Sequence, residues 1–75
     1  MKTQHRTTHS NGKLRSIGNT IKGKRHGVWN YYYPNGYFHK QLEYKMGKLD
    51  GIVNVYDFGY NLICATLYKE GEPIL

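Results

Sequence analysis

Residues 11–34 superimpose on residues 35–58 without a gap, and this 24-residue period limits the chain to architectures built by repetition. The identical pairs are Asn11/Asn35, Gly12/Gly36, Gly23/Gly47, Lys24/Lys48, Gly27/Gly51, Asn30/Asn54 and Tyr32/Tyr56, seven of twenty-four positions. Average residue usage would give about two by chance. Residues 59–75 read as a third, shortened copy, in which Leu62 falls on Leu14 and Phe38, Tyr68 on Tyr44, and Gly71 on Gly47. Residues 1–10 lie opposite the run Val28–Pro34 in the same register, and read either as a degenerate edge strand or as an unpaired basic arm.

Within each unit the signals are those of strands. Tyr, Val, Ile, Phe and Thr fill the runs between glycines, and no helix-length 3.6-residue pattern interrupts them. Pro34-Asn35-Gly36 is a turn with a clear mechanism, because proline presets φ while Asn and Gly accept left-handed backbone. Asn11-Gly12 and Gly59-Tyr60-Asn61 mark the corresponding corners. Gly23-Lys24-Arg25-His26-Gly27 and Gly47-Lys48-Leu49-Asp50-Gly51 read as short polar turns bracketed by glycines. The predicted fold is therefore all-β: one domain over 1–75, an antiparallel meander of about five or six strands near 13–22, 28–33, 37–46, 52–58 and 61–69.

Alternation assigns Leu14, Phe38, Leu62, Thr20, Tyr44, Tyr68, Leu42 and Met46 to one face, predicted to be the main core. In the intervening strands Trp29/Val53 and Tyr31/Val55 oppose Val28/Ile52 and Asn30/Asn54, and the pattern leaves open which set turns inward. A single meander has no second layer, so apolar surface stays exposed on one face. Self-association or a bound partner would cover it.

At this point the residues resemble a known family. Asn35-Gly36-Tyr37-Phe38 leading to Tyr44-Lys45-Met46-Gly47-Lys48-Leu49-Asp50-Gly51 looks like the MORN repeat, in the variant of bacterial antitoxin-like and viral proteins. Residues 11–34 match with Thr20 in place of the usual tyrosine and His26 in place of the acidic residue, and the resemblance spans about residues 11–71. It implies stacked β-hairpins that act as protein-interaction scaffolds. It also implies an inhibitor or antitoxin-like setting, with a phage or virus as the source, and no appended catalytic domain is expected.

Eleven Lys and Arg against five Asp and Glu give a formal charge of +6, which favours anionic partners. Basic residues and aromatics interleave between Lys22 and Lys40. The partner-binding candidates are Lys24, Arg25, His26, Trp29, Tyr31, Tyr33, Tyr37 and His39, types enriched in protein interfaces. An alternative set, Lys22, Lys24, Arg25, Lys40, Tyr31 and Tyr33, suits single-stranded nucleic acid or an anionic surface, with charges on phosphates and rings on bases. A third reading is a structural subunit of a larger assembly. Simple sheet packing accounts for the same rings without any ligand.

No enzyme is expected. The five acids offer no evident acid/base pair, and Cys64, the single cysteine, reads as a small buried hydrophobe in Leu-Ile-Cys-Ala-Thr-Leu. His5 and His9, four apart on an extended segment, would sit roughly 13 Å from each other, too far to share a metal. No metal or cofactor is expected. The polar N-terminus lacks the apolar stretch of a signal peptide and no run approaches a membrane span, so the predicted location is the cytoplasm.

Overall fold

A computed structural model describes residues 2–74, and every regular element in it is a strand. In chain order these are β1 (Lys2–Thr8), β2 (Leu14–Ile21), β3 (Lys24–Tyr32), β4 (Phe38–Lys45), β5 (Lys48–Leu49), β6 (Gly51–Tyr56), β7 (Leu62–Lys69) and β8 (Glu72–Pro73). They form one antiparallel sheet in the order β1-β2-β3-β4-β6-β7-β8, with β5 beside β4. The predicted fold class holds, with eight strands against the expected five or six. Two of the additional strands are the two-residue pieces β5 and β8, and the third is β1, paired with β2 from Lys2↔Ile21 to Thr8↔Leu14. The N-terminal segment is thus an edge strand and not a free arm.

Three hairpins turn through pairs of left-handed residues: Lys22–Gly23 (φ 53° and 78°), Met46–Gly47 (47° and 91°) and Glu70–Gly71 (51° and 88°). Two consecutive positive φ values make a type I′ turn, whose twist matches that of the flanking strands. The glycine-bracketed pentapeptide is accordingly not a loop. Lys24–Gly27 belongs to β3, and Gly27 (φ 81°) lies where the pairing passes from Ile17↔Asn30 to Asn19↔His26. The reading from sequence took a bulge glycine for a turn glycine, since both conformations call for the same residue.

The wider corners also recur every 24 residues. The N–H groups of His9, Tyr33 and Asp57 donate to the carbonyls of Lys13, Tyr37 and Asn61, each at 2.8 Å. Asn11 Oδ1 accepts the Lys13 N–H and Asn35 Oδ1 the Tyr37 N–H, both at 2.9 Å. Gly59 replaces the third asparagine, and Asp57 Oδ1 takes over by accepting the N–H groups of Gly59 and Asn61 at 2.9 Å. Bonds between units repeat as well: Gly47 N–H to Arg25 O and Gly71 N–H to Leu49 O, both 2.7 Å. The register shifts at Thr7/Thr8, Tyr31/Tyr32 and Val55/Tyr56 keep the same spacing.

The sheet is a single layer, 33 × 32 × 12 Å. Its accessible surface of 5230 Å² exceeds the roughly 4,800 Å² expected of a compact chain of 8.8 kDa. Burial is correspondingly thin, and among the described residues it is confined to Trp29, Val53 and Ser16 for the large or polar side chains. The register places Ser16 opposite Tyr31, and Trp29 opposite Leu42. Trp29, Tyr31, Val53 and Val55 therefore turn to the side of Leu42 and Tyr44, and this is the protected face. Phe38, predicted to join them, is carried across the register shift to pair with Tyr32, and packs against Tyr32 and Tyr56 instead. Leu62 and Met46, predicted to be core, are exposed. The first lies on β7 near the sheet edge and the second occupies a turn. Cys64 is exposed too, for the same reason as Leu62.

Candidate functional site

On the protected face Trp29 lies across β2 in the space that Gly18 leaves empty. A Cβ at Gly18 would stand 2.0 Å from the indole Cδ2. The ring is fixed from its edge by Nε1–H donating to Asn19 O at 2.9 Å. Leu42 occupies the position equivalent to Gly18 in the next unit, and there the smaller Val53 stands where Trp29 would be. One glycine thus admits one tryptophan.

Arg25 reaches this ring because β3 begins directly after the turn and Thr20 pairs with Arg25 in the register. Its guanidinium carbon is 5.0 Å from the Trp29 ring centroid and 5.5 Å from that of Tyr44, and Nη1–H donates to Tyr44 Oη at 3.2 Å. Both rings offer their electron-rich surface to the cation, and together they favour one orientation of the planar group. His5, from β1, stacks on Trp29 with centroids 6.1 Å apart and bonds to the Thr20 hydroxyl at 2.8 Å. Lys40, directly across from Tyr31, carries its ammonium 4.9 Å from that ring. Arg15 Nε–H donates to Thr7 Oγ1 at 3.2 Å, and the Thr7 and Ser16 hydroxyls bond to each other. Thr7, Ser16 and Thr20 form a hydroxyl row between these cations, along a shallow groove that Arg25, Trp29 and Tyr31 also line.

Of the residues singled out from sequence, Arg25, Trp29, Tyr31 and Lys40 meet here. Lys24 and His26 pair with Ile21 and Asn19 and point to the opposite face, where His26 Nδ1 accepts the Met46 N–H at 3.2 Å. Lys22 sits in a turn. Tyr33 and His39 stack on each other at 4.3 Å, with Phe58 4.8 Å from Tyr33. Burial, and secondly the charge of Lys40, hold the His39 imidazole below its ordinary 6.5. Tyr37 belongs to a separate aromatic group at the corners, beside Tyr60. Sequence reasoning missed His5, Thr20 and Tyr44 as members of the patch. The 24-residue alignment marks Tyr44 as a unit position, but only the pairing of β3 with β4 brings it to Arg25.

The opposite face carries a rung of Ile17, Asn30, Gln41, Asn54 and Ala65, each opposite the next. Asn30 Oδ1 is buried in it without a hydrogen-bond partner. Among the described residues no three His, Cys, Asp or Glu side chains converge as metal ligands, and no helix is long and apolar enough to cross a membrane. No protein-family model, curated protein or solved structure matches the chain.

Proposed function

We propose that this chain is a non-enzymatic interaction module of the MORN-like hairpin type, and that it binds an acidic surface of a partner protein through the Arg25–Trp29–Tyr44 patch. The observation that carries this reading is the exposed Arg25 guanidinium lying over two rings, 5.0 and 5.5 Å from their centroids, with Nη1–H donating to Tyr44 Oη at 3.2 Å. An arginine whose contacts with two rings favour one orientation loses less conformational freedom when it meets a carboxylate, and it keeps a planar fork of donors for that purpose. Arg15 and Lys40 extend the positive field along the same face, and the formal charge of +6 acts in the same sense.

The protein partner is favoured over nucleic acid by the state of the rings. Base stacking needs open aromatic faces, whereas Trp29 is only 6% exposed and bears Arg25 and His5, and Tyr31 bears Lys40. The MORN resemblance supports an inhibitory or antitoxin-like role in the cytoplasm. The test is affinity capture from a host lysate by tagged wild-type protein and by Arg25→Glu, each with and without nuclease. A stoichiometric protein that survives nuclease and is lost with Arg25→Glu is the expected result. Loss of all captured material on nuclease treatment transfers the function to RNA or DNA and refutes the proposal.

A further inference from the structure

Tyr60 occupies the third copy of a corner whose first two copies use Gly12 and Gly36, and all three share left-handed backbone at φ 87°, 93° and 69°. An aromatic L-residue is disfavoured in that conformation. The strain is not repaid by burial, since the Tyr60 side chain is 61% exposed. Its ring stacks on Tyr56 at 5.6 Å and meets the edge of Tyr37 at 6.3 Å. Beyond Tyr56 the row continues through Phe38 at 5.2 Å to Tyr32 at 5.5 Å. Tyr32, Tyr37, Phe38 and Tyr60 line an open cleft together with Gly36 and Gly59. Unlike Lys22, Met46 and Glu70, which take the same backbone in two-residue turns, Tyr60 sets its exposed ring beside a cleft, and that pairing is the ground for asking what binds there.

We infer that this cleft is a second binding site, separate from the Arg25 patch, and that its ligand is a proline-rich peptide segment in the extended polyproline conformation. The lining decides the chemistry. None of its six lining residues is charged, although the chain carries +6, and the one ammonium beside Gly36, that of Lys13, lies against Asn35 O at 3.5 Å. A phosphate backbone or acidic segment therefore finds no counter-charge along the lining itself. Sugars need side-chain amides or carboxylates around the stacked ring, and the nearby candidates are spent on the corners themselves: Asn35 Oδ1 accepts the Tyr37 N–H, and Asp57 Oδ1 accepts from Gly59 and Asn61. What remains is a series of aromatic ridges tipped with hydroxyl donors. Polyproline matches both, because its rings pack between aromatic ridges and its solvated carbonyls accept from tyrosine hydroxyls.

The test is an NMR titration of the full chain with an end-blocked polyproline peptide of about ten residues, long enough for three turns of the polyproline helix. A glycine–serine peptide of equal length is the control. Saturable shifts at Gly59, Tyr60 and Tyr37 with polyproline alone are expected. Tyr60→Gly should weaken binding about tenfold, the value of one aromatic contact, while its urea midpoint stays level or rises because the strain is relieved. Tyr37→Ala, at an unstrained position, should weaken binding comparably and serves if Tyr60→Gly does not fold. Arg25→Glu should leave polyproline binding unchanged, so failure of this inference is distinct from failure of the acidic-partner reading. Absent or unsaturable shifts, or full affinity in either tyrosine variant, overturn the proposal. Shifts at the same residues with a cello-oligosaccharide or single-stranded DNA, and none with polyproline, overturn it in favour of that ligand.

Discussion

Gly18→Ala tests whether the protected face is organised around the indole of Trp29. The added methyl carbon would lie 2.0, 2.3 and 2.4 Å from Cδ2, Cε2 and Cγ of the ring. Carbon atoms rest near 3.5–4.0 Å, so ring or strand must yield by about 1.5 Å. The ring has little freedom to do so, being 6% exposed, bonded to Asn19 O and overlaid by Arg25. Overpacking of this kind costs about 1–3 kcal/mol, and loss of the indole hydrogen bond adds about 1 kcal/mol. Replacing glycine in a strand returns about 0.5–1 kcal/mol. The net expected loss is about 2 kcal/mol, a large share of the roughly 4–11 kcal/mol available to a chain of this length. At about 4–8 °C per kcal/mol, Tm should fall by about 8–16 °C. Urea denaturation followed by far-ultraviolet circular dichroism gives the free energy, and repeating it in a Trp29→Leu background closes a double-mutant cycle. There the methyl group meets no indole, Gly18→Ala becomes neutral or slightly stabilising, and the coupling is about 2 kcal/mol. Equal losses in both backgrounds would refute the reasoning.

Three further outcomes follow from the same geometry. Met46→Asn places the preferred residue at a left-handed turn position (φ 47°) and should raise stability by about 0.5–1 kcal/mol, read as a higher urea midpoint at unchanged slope. The folded state holds His39 below 6.5, so the unfolded chain binds the proton more readily. Stability is therefore full above pH 6.5 and declines as pH falls through the lowered folded value, and His39→Gln should flatten that part of the stability–pH curve. Asp57 is lowered from 3.8, first by the backbone N–H of Asn61, so its contribution is lost only at more acid pH. Asp57→Ala should remove this lower step and leave the first in place. Arg25→Lys should weaken the patch despite keeping the charge, because an ammonium lacks the planar group that lies over two rings. Equal partner affinity for wild type and Arg25→Lys would contradict that role.

The period, the strands and the corners were legible in the sequence because each depends on local chemistry. Asn35-Gly36 forms its corner through its own backbone and side chain, whatever lies across the sheet. Legibility ended where one residue type serves two conformations. Gly23 turns the chain while Gly27 relieves a register shift, and reading both as turn glycines put Arg25 at a loop tip instead of on a strand over Trp29. The inward face could not be chosen either, since Trp29 and Val28 are both apolar and only the space at Gly18 distinguishes them. Cys64 and Leu62 sit in runs that look like interior strand. They are exposed because a single layer gives β7 little cover beyond the short β8. The candidate patch was half visible: Arg25, Trp29, Tyr31 and Lys40 are clustered in sequence, whereas His5 and Tyr44 come to it from β1 and β4 through registers that composition does not encode.

The central claim is that an acidic protein docks on the guanidinium lying over Trp29 and Tyr44. The direct measurement is the affinity of the captured partner for wild type, Arg25→Glu and Lys69→Glu, each at two salt concentrations. Lys69 carries the same charge on β7, away from the patch, where it pairs with Glu72 in the register. Loss of a charge-assisted contact and its replacement by repulsion should cost Arg25→Glu at least about a hundredfold in affinity, mostly as faster dissociation. Lys69→Glu should change association alone, and modestly. Equal losses in the two variants would mean that only net charge matters, and would contradict the claim.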